Sequence, residues 1–170
     1  SPYISSLYTL NFKKEFPHLF SVSGLSNVSI LTCNENNYWP IIKSDKYGFF
    51  NKNSIWEHKK INTIFLGDSF TAGSCVYKDL SFVSIFSQLD KNNNNLNLGV
   101  PGSFPLLELI KLKEYVEPKF MPKNIVWVYY EGNDLRELQN FFKKYKNTYI
   151  TNYLTDSNFL QNLIKENNSR

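Results

Sequence analysis

Ile61-Asn62-Thr63-Ile64-Phe65-Leu66-Gly67-Asp68-Ser69 is the stretch that decides the fold. Its first six residues are mostly apolar and rich in β-branched side chains, and the run stops at Gly67. A short run of this kind, without polar alternation, suits a strand buried on both faces. Downstream, Leu80, Val83, Phe86 and Leu89 recur three residues apart, predicting a helix over Asp79 to Leu89 with Asp79 as its cap. Leu96-Asn97-Leu98 reads as a second strand ending at Gly99. Leu106, Leu107, Leu109, Ile110, Leu112 and Val116 give a second helix that stops near Pro118. Ile125 to Tyr130 is the strongest strand signal in the chain. Asp134 then caps a third helix carrying Leu135, Leu138, Phe141, Phe142 and Tyr145 on one side. Phe159, Leu160, Leu163 and Ile164 suggest a last helix.

The order β-α-β-α-β-α with short connections requires right-handed crossovers and a parallel sheet. The predicted fold class is α/β, a three-layer flavodoxin-like sandwich with a mostly parallel sheet, lacking its C-terminal βα units. Residues 61–170 form this core. Residues 1–60 form an irregular N-terminal extension packing on it, with short strands suggested at Asn27 to Thr32 and Tyr38 to Ile42.

Composition narrows the function classes. A chain of 170 residues, 42% hydrophobic and 20% charged, is an ordinary globular domain. It buries roughly 70% of its unfolded surface without needing disulfides or metal. The 19 basic and 15 acidic residues leave a net charge of +4, small and spread out, which does not argue for nucleic acid. No apolar stretch approaches the roughly 20 residues of a membrane span. Residues 1–20 mix charges with apolar residues and do not read as a signal peptide. The expectation is a soluble bacterial protein, envelope-associated if a segment ahead of Ser1 was removed. Cys33 and Cys75 make neither a disulfide framework nor a zinc motif. Both are expected reduced, with Cys75 a packing residue, and no cofactor or metal is expected. The single alanine, Ala72, and the run Asn92 to Asn95 fit an AT-rich codon bias, with the run as an exposed loop.

In parallel sheets ligands bind outside the carboxyl ends of the strands. Those ends are Gly67-Asp68-Ser69, Gly99-Val100-Pro101-Gly102 and Glu131-Gly132-Asn133-Asp134, where the unusual residues cluster. A serine just past a buried strand offers its hydroxyl to the crevice, and its N–H lies where a developing anion is favoured. Gly102 offers an unhindered N–H, and Asn133 an amide donor. Each also has a bland reading: an Asp-Ser cap, a Pro-Gly turn and a capping Asn. The segment is not a G-x-S-x-G elbow, since Thr71 replaces the second glycine. It also lacks phosphate-cradling glycine loops.

Together the three strand ends are more specific. Gly67-Asp68-Ser69-Phe70-Thr71-Ala72-Gly73 resembles the first block of the SGNH hydrolases, the GDSL-type esterase superfamily. Asn97-Leu98-Gly99-Val100-Pro101-Gly102 is similar to their second block and Gly132-Asn133-Asp134 to their third. The stretch Asp45 to Asn51 resembles an Asp-x-x-Gly-Phe-x-Asn segment of envelope polysaccharide-modifying members. The resemblance covers about residues 45–140. It implies Ser69 as nucleophile, with the Ser69 N–H, the Gly102 N–H and the Asn133 side chain as oxyanion donors. It further implies acyl transfer from a small ester or acylated sugar to water or a sugar hydroxyl, and a strand order with that of Ser69 between the other two.

One block departs from the pattern. The family's late Asp-x-x-His supplies the base, yet no histidine follows Ser69. The six-residue run Ile61 to Leu66, at ~3.3 Å per residue, puts His58 roughly 20 Å from Ser69. His18 lies further upstream, and Asp156-Ser157-Asn158-Phe159 carries Phe where His is needed. Without a base a serine is a weak nucleophile. The chain therefore reads either as a serine esterase or O-acyltransferase completed beyond Arg170, or as an inactive SGNH-fold binding module. A flavodoxin-like nucleotide-binding domain lacks support, since there is no acidic cluster or phosphate loop.

Overall fold

Four consecutive buried residues, Thr63 to Leu66, form the centre of a three-stranded parallel sheet. The computed structural model describes residues 20–35, 37–90, 94–117, 119–144 and 149–164. Along the chain, β1 (Ser29–Leu31) and β2 (Ile41–Lys43) pair antiparallel, with Ile30 opposite Ile42. The deciding stretch is β3 (Thr63–Leu66), followed by the single-turn helix α1 (Ser69–Ala72), then α2 (Phe82–Leu89) and β4 (Asn95–Asn97). Next come α3 (Pro105–Lys111), which runs on into a π-helical turn at Leu112–Val116, then β5 (Asn124–Trp127), α4 (Asp134–Lys144) and α5 (Asn152–Thr155).

The sheet order is β4-β3-β5, parallel throughout, so the strand leading to Ser69 lies between the other two. Side chains alternate across β3, and the two faces meet different helices. Ile64 and Leu66 join Leu96 and Leu98 in the main core with Leu106 and Ile110 of α3 and Phe141 of α4. Phe65 points the other way, onto Phe82 and Phe86 of α2.

Several expectations change. α2 is capped by Ser81, whose hydroxyl accepts from the Ser84 N–H, and Asp79 lies in a 3₁₀ turn ahead of it. Of its expected core face only Val83 is buried; Phe82, Ile85, Phe86 and Leu89, at i, i+3, i+4 and i+7, stay exposed. Periodicity identifies an apolar face but not whether anything covers it. On α4, Phe141 is buried and Leu138 and Phe142 pack against the core, whereas Leu135 is exposed and Tyr145 lies outside the described residues. Asn95, expected in an exposed loop, is buried in β4 and bonds Asp90. Residues 159–162 are not helical. They are held by the buried Glu114 carboxylate, which accepts from the Gln161 N–H, the Leu163 N–H and the Tyr153 hydroxyl.

The two edges of the sheet are treated differently. β4 is wholly buried, and Asn51 covers its outer edge by bonding both the N–H and the C=O of Asn97. β5 is exposed at all four positions, with Ile125 at 48% and Trp127 at 55%. Consecutive strand residues face opposite sides, so β5 is uncovered on both.

Residues 45–57 belong to the same core as the sheet, contributing Tyr47, Phe49, Ile55 and Trp56. The expectation of two reduced thiols is overturned. Cys33 and Cys75 form a disulfide, with Cα atoms 5.1 Å apart. It ties the segment after β1 to the segment after α1, where Tyr38 also stacks on Tyr77 at 4.6 Å. Forty-two residues of sequence separation gave no sign of that proximity.

Candidate active site

Asp68 ends the β3 exit and caps α1, its Oδ1 accepting from the Phe70 N–H at 2.9 Å. Ser69 is therefore the first residue of a turn set directly on the central strand. Asp68 is buried, whereas Ser69 is half-buried. The second turn abuts the first, because the Val100 N–H donates to the Gly67 carbonyl at 3.2 Å. Gly102 in that turn has φ 74°, the left-handed region that favours glycine. A Cβ there would meet nothing within 4 Å, so this stretch of backbone faces open space.

The third turn follows β5. The Asn133 and Asp134 N–H groups donate to the Tyr130 carbonyl at 3.3 and 3.1 Å. The Asp134 carboxylate accepts from the Tyr130 N–H at 2.8 Å, closing the turn rather than capping α4 from outside. The Phe70 and Tyr130 rings meet at 5.0 Å and link the first turn to the third. Asn133 Oδ1 is buried without a hydrogen-bond partner. Ser69, Gly102 and Asn133 thus stand at the same edge of the sheet, with the Ser69 turn touching each of the other two.

Two groups of residues behind the turns had no role assigned from the sequence. The first is a polar chain from the Asp45 segment. The buried Asp45 carboxylate accepts from the Tyr47 and Phe49 N–H groups, from Asn51 Nδ2 and from Trp56 Nε1, all at 2.9–3.0 Å. Burial still pushes its carboxyl above the ordinary range, against those bonds. Asn51 reaches on to Asn97, whose Nδ2 donates to the Thr71 carbonyl at 2.7 Å and whose Oδ1 accepts from the Gly99 N–H at 2.8 Å. Asp45, Asn51 and Asn97 therefore brace α1 against β4.

The second group lies on α3. Lys111 is fully buried, and its Nζ donates to the carbonyls of Leu98 at 2.8 Å and Gly67 at 3.3 Å. Burial pulls the ammonium down to about 7, while Glu108, Asp68 and Asp134 hold it up. Glu108, also buried, accepts from Trp127 Nε1 at 2.6 Å, and burial raises its carboxyl above the usual range against the pull of Lys111. Helical periodicity pointed the wrong way for these two. Glu108 and Lys111 fall together in the sector of α3 that its apolar residues leave open, which reads as the solvated face of an amphipathic helix, yet both are buried against the strand exits.

His58, the histidine among the described residues, is exposed ahead of β3, at the amino end of the sheet. His18 lies outside the described residues. Asp156 closes a local turn by accepting from the Asn158 N–H at 2.8 Å. Cys33, Glu35 and Cys75 bring ligand atoms within 4.8 Å of one another, but the two sulfurs are bonded to each other. Among the described residues no helix is long and apolar enough to cross a membrane. No protein-family model, curated protein or solved structure matches the chain.

Proposed function

We propose that the carboxyl edge of the sheet is an acyl-transfer site of the SGNH type. Ser69 is the nucleophile, and the Ser69 N–H, the Gly102 N–H and the Asn133 amide are the oxyanion donors. The substrate is a small ester or an acylated sugar, and the acceptor is water or a sugar hydroxyl. What carries this is the parallel order β4-β3-β5, which sets the three motif turns side by side with Ser69 in the middle. The Cys33–Cys75 disulfide adds support for an envelope location, since disulfides persist in oxidising compartments.

The site wants a base, and none of the described residues at this edge is a histidine. The uncovered β5 and the exposed stripe of α2 support a further βα unit that would complete a flavodoxin-like, three-layer sandwich and bring the base with it. An unblunted apolar edge strand is a template for another strand. A chain that never acquires the base would be a binding module on the same fold. That second reading is favoured by the same lack of a histidine.

Hydrolysis of p-nitrophenyl acetate tests the proposal. The 170-residue chain is expected to work barely above buffer, because a triad serine loses most of its rate advantage without its base, although oxyanion donors and binding can retain about 10³–10⁴-fold over water. A chain carrying the completing unit with its histidine should turn over, and Ser69→Ala in it should abolish the activity. Brisk Ser69-dependent turnover by residues 1–170 would refute the need for that unit. A completed chain that binds acetylated sugar without turnover would select the binding module.

A further inference from the structure

One turn of α3 reaches the exits of all three strands. Lys111 takes the carbonyl of Gly67 after β3 and that of Leu98 after β4. Glu108, three residues earlier and so on a neighbouring face of the helix, takes the indole N–H of Trp127 at the end of β5. Gly67 and Leu98 lead directly into the turns of Ser69 and Gly102, and Trp127 ends β5 three residues ahead of Tyr130, on which the Asn133 turn is built. A peptide group moves as one plane, so a fixed carbonyl also fixes the direction in which the next residue leaves the strand.

A buried lysine is a costly way to fill space. Desolvating a charge costs several kcal/mol, and an apolar side chain of the same length would fill the volume without that penalty. Geometry, not stability, accounts for a cation at this point. We propose that Lys111, assisted by Glu108, is the positioning residue of the Ser69 site, clamping the strand exits so that the donors stay aimed at one oxyanion position. The proposal rests on the acyl-transfer reading and names a residue that never touches the substrate.

Phenylboronic acid is the probe. Ser69 Oγ adds to the trigonal boron, an O–B bond forms, the boron becomes a tetrahedral anion, and the hydroxyl proton leaves to solvent. Binding is read by ¹¹B NMR and by the ¹⁵N-HSQC amide signals of Ser69 and Gly102. The intact chain should form an adduct that Ser69→Ala abolishes. Lys111→Met, with near-UV circular dichroism unchanged, should bind on the order of tenfold to a hundredfold more weakly, as expected when reacting groups are displaced by about an ångström.

A Ser69-dependent adduct of unchanged affinity in folded Lys111→Met overturns the positioning role alone. Absence of any Ser69-dependent adduct in the intact chain overturns the acyl-transfer reading and this proposal with it. Should Lys111→Met not fold, Trp127→Phe releases Glu108 at an exposed position without touching either carbonyl. It should shift the Ser69 and Gly102 amides and weaken the adduct while the amide signals of α2, on the other face of the sheet, stay in place, an effect that a general loosening of the fold would not produce. Unmoved signals and affinity in that variant overturn the proposal.

Discussion

Gly99 and Gly102 stand three residues apart in one turn, and each is a glycine for its own reason. A Cβ on Gly99 would lie 2.6 Å from the Thr71 carbonyl carbon and 2.8 Å from its Cβ, because α1 passes directly over β4 at that point. At Gly102 the surroundings are open and only the backbone conformation, φ 74°, resists a side chain. Gly102→Ala should therefore cost only the left-handed penalty, about 1–2 kcal/mol, and leave a native fold. Gly99→Ala has to push the Ser69 turn off the sheet and should cost more, about 3 kcal/mol at the upper end of overpacking. Urea unfolding of the two variants separates them, and equal losses would contradict the close approach of α1. The sequence assigned Gly102 a role because its neighbours, Pro101 and the preceding strand, are local. It assigned none to Gly99 or to the amide of Asn97, because what they meet is the backbone of Thr71, more than twenty residues away. Local chemistry is legible from residue order, and through-space approach is not.

Among the elements, the largest surprise is the tie between the β1–β2 hairpin and the segment after α1. Cys33–Cys75, the Tyr38–Tyr77 stack and the Tyr38 hydroxyl on the Cys75 carbonyl at 3.5 Å all act at the same place. Closing a loop of 42 residues in the unfolded chain corresponds to about 4 kcal/mol in the chain-entropy model. Reduction with dithiothreitol, or the pair Cys33→Ser and Cys75→Ser, should thus lower the unfolding free energy by roughly 2–4 kcal/mol. Denaturation with and without reductant measures it. A change within about 0.5 kcal/mol, the range of an ordinary surface substitution, would show that the bond constrains nothing. The strands and helices of the sheet were legible because each carries a local signal, a short apolar run for a strand and a helical spacing of apolar residues for a helix: β3, β4, β5, α3 and α4 fall on the predicted runs. The N-terminal segment carries only weak signals of this kind. Its order comes from Asp45, whose carboxylate organises four donors from residues 47 to 56, and from the disulfide. Neither depends on hydrophobic patterning.

Over the whole molecule, charge placement matters more than net charge. The +4 balance describes the surface, whereas Asp45, Glu108, Lys111 and Glu114 are all buried. Lys111 dominates the expected response to pH. An unfolded lysine keeps its proton to about pH 10.4. In the folded chain burial brings Lys111 down to about 7, despite Glu108, Asp68 and Asp134 around it. Between those values the unfolded chain binds one proton more than the folded chain, so unfolding free energy rises with pH. Below pH 7 both states are protonated and the folded state carries the full penalty of a buried cation. Glu108 works in the opposite sense at lower pH. Its raised carboxyl is a stabilising influence below the ordinary glutamate range that is lost as pH climbs through the folded value. The comparison is therefore the intact chain against Lys111→Met between pH 7 and 10, the range over which Lys111 loses its proton in the folded chain before the unfolded one. The stability of Lys111→Met relative to the intact chain should be most favourable near pH 7 and should fall steadily towards pH 10. Urea unfolding at pH 7, 8, 9 and 10 gives the slope. A difference independent of pH would mean that Lys111 titrates in the fold as it does in the unfolded chain, and that the strand exits are held by a group the solvent can reach.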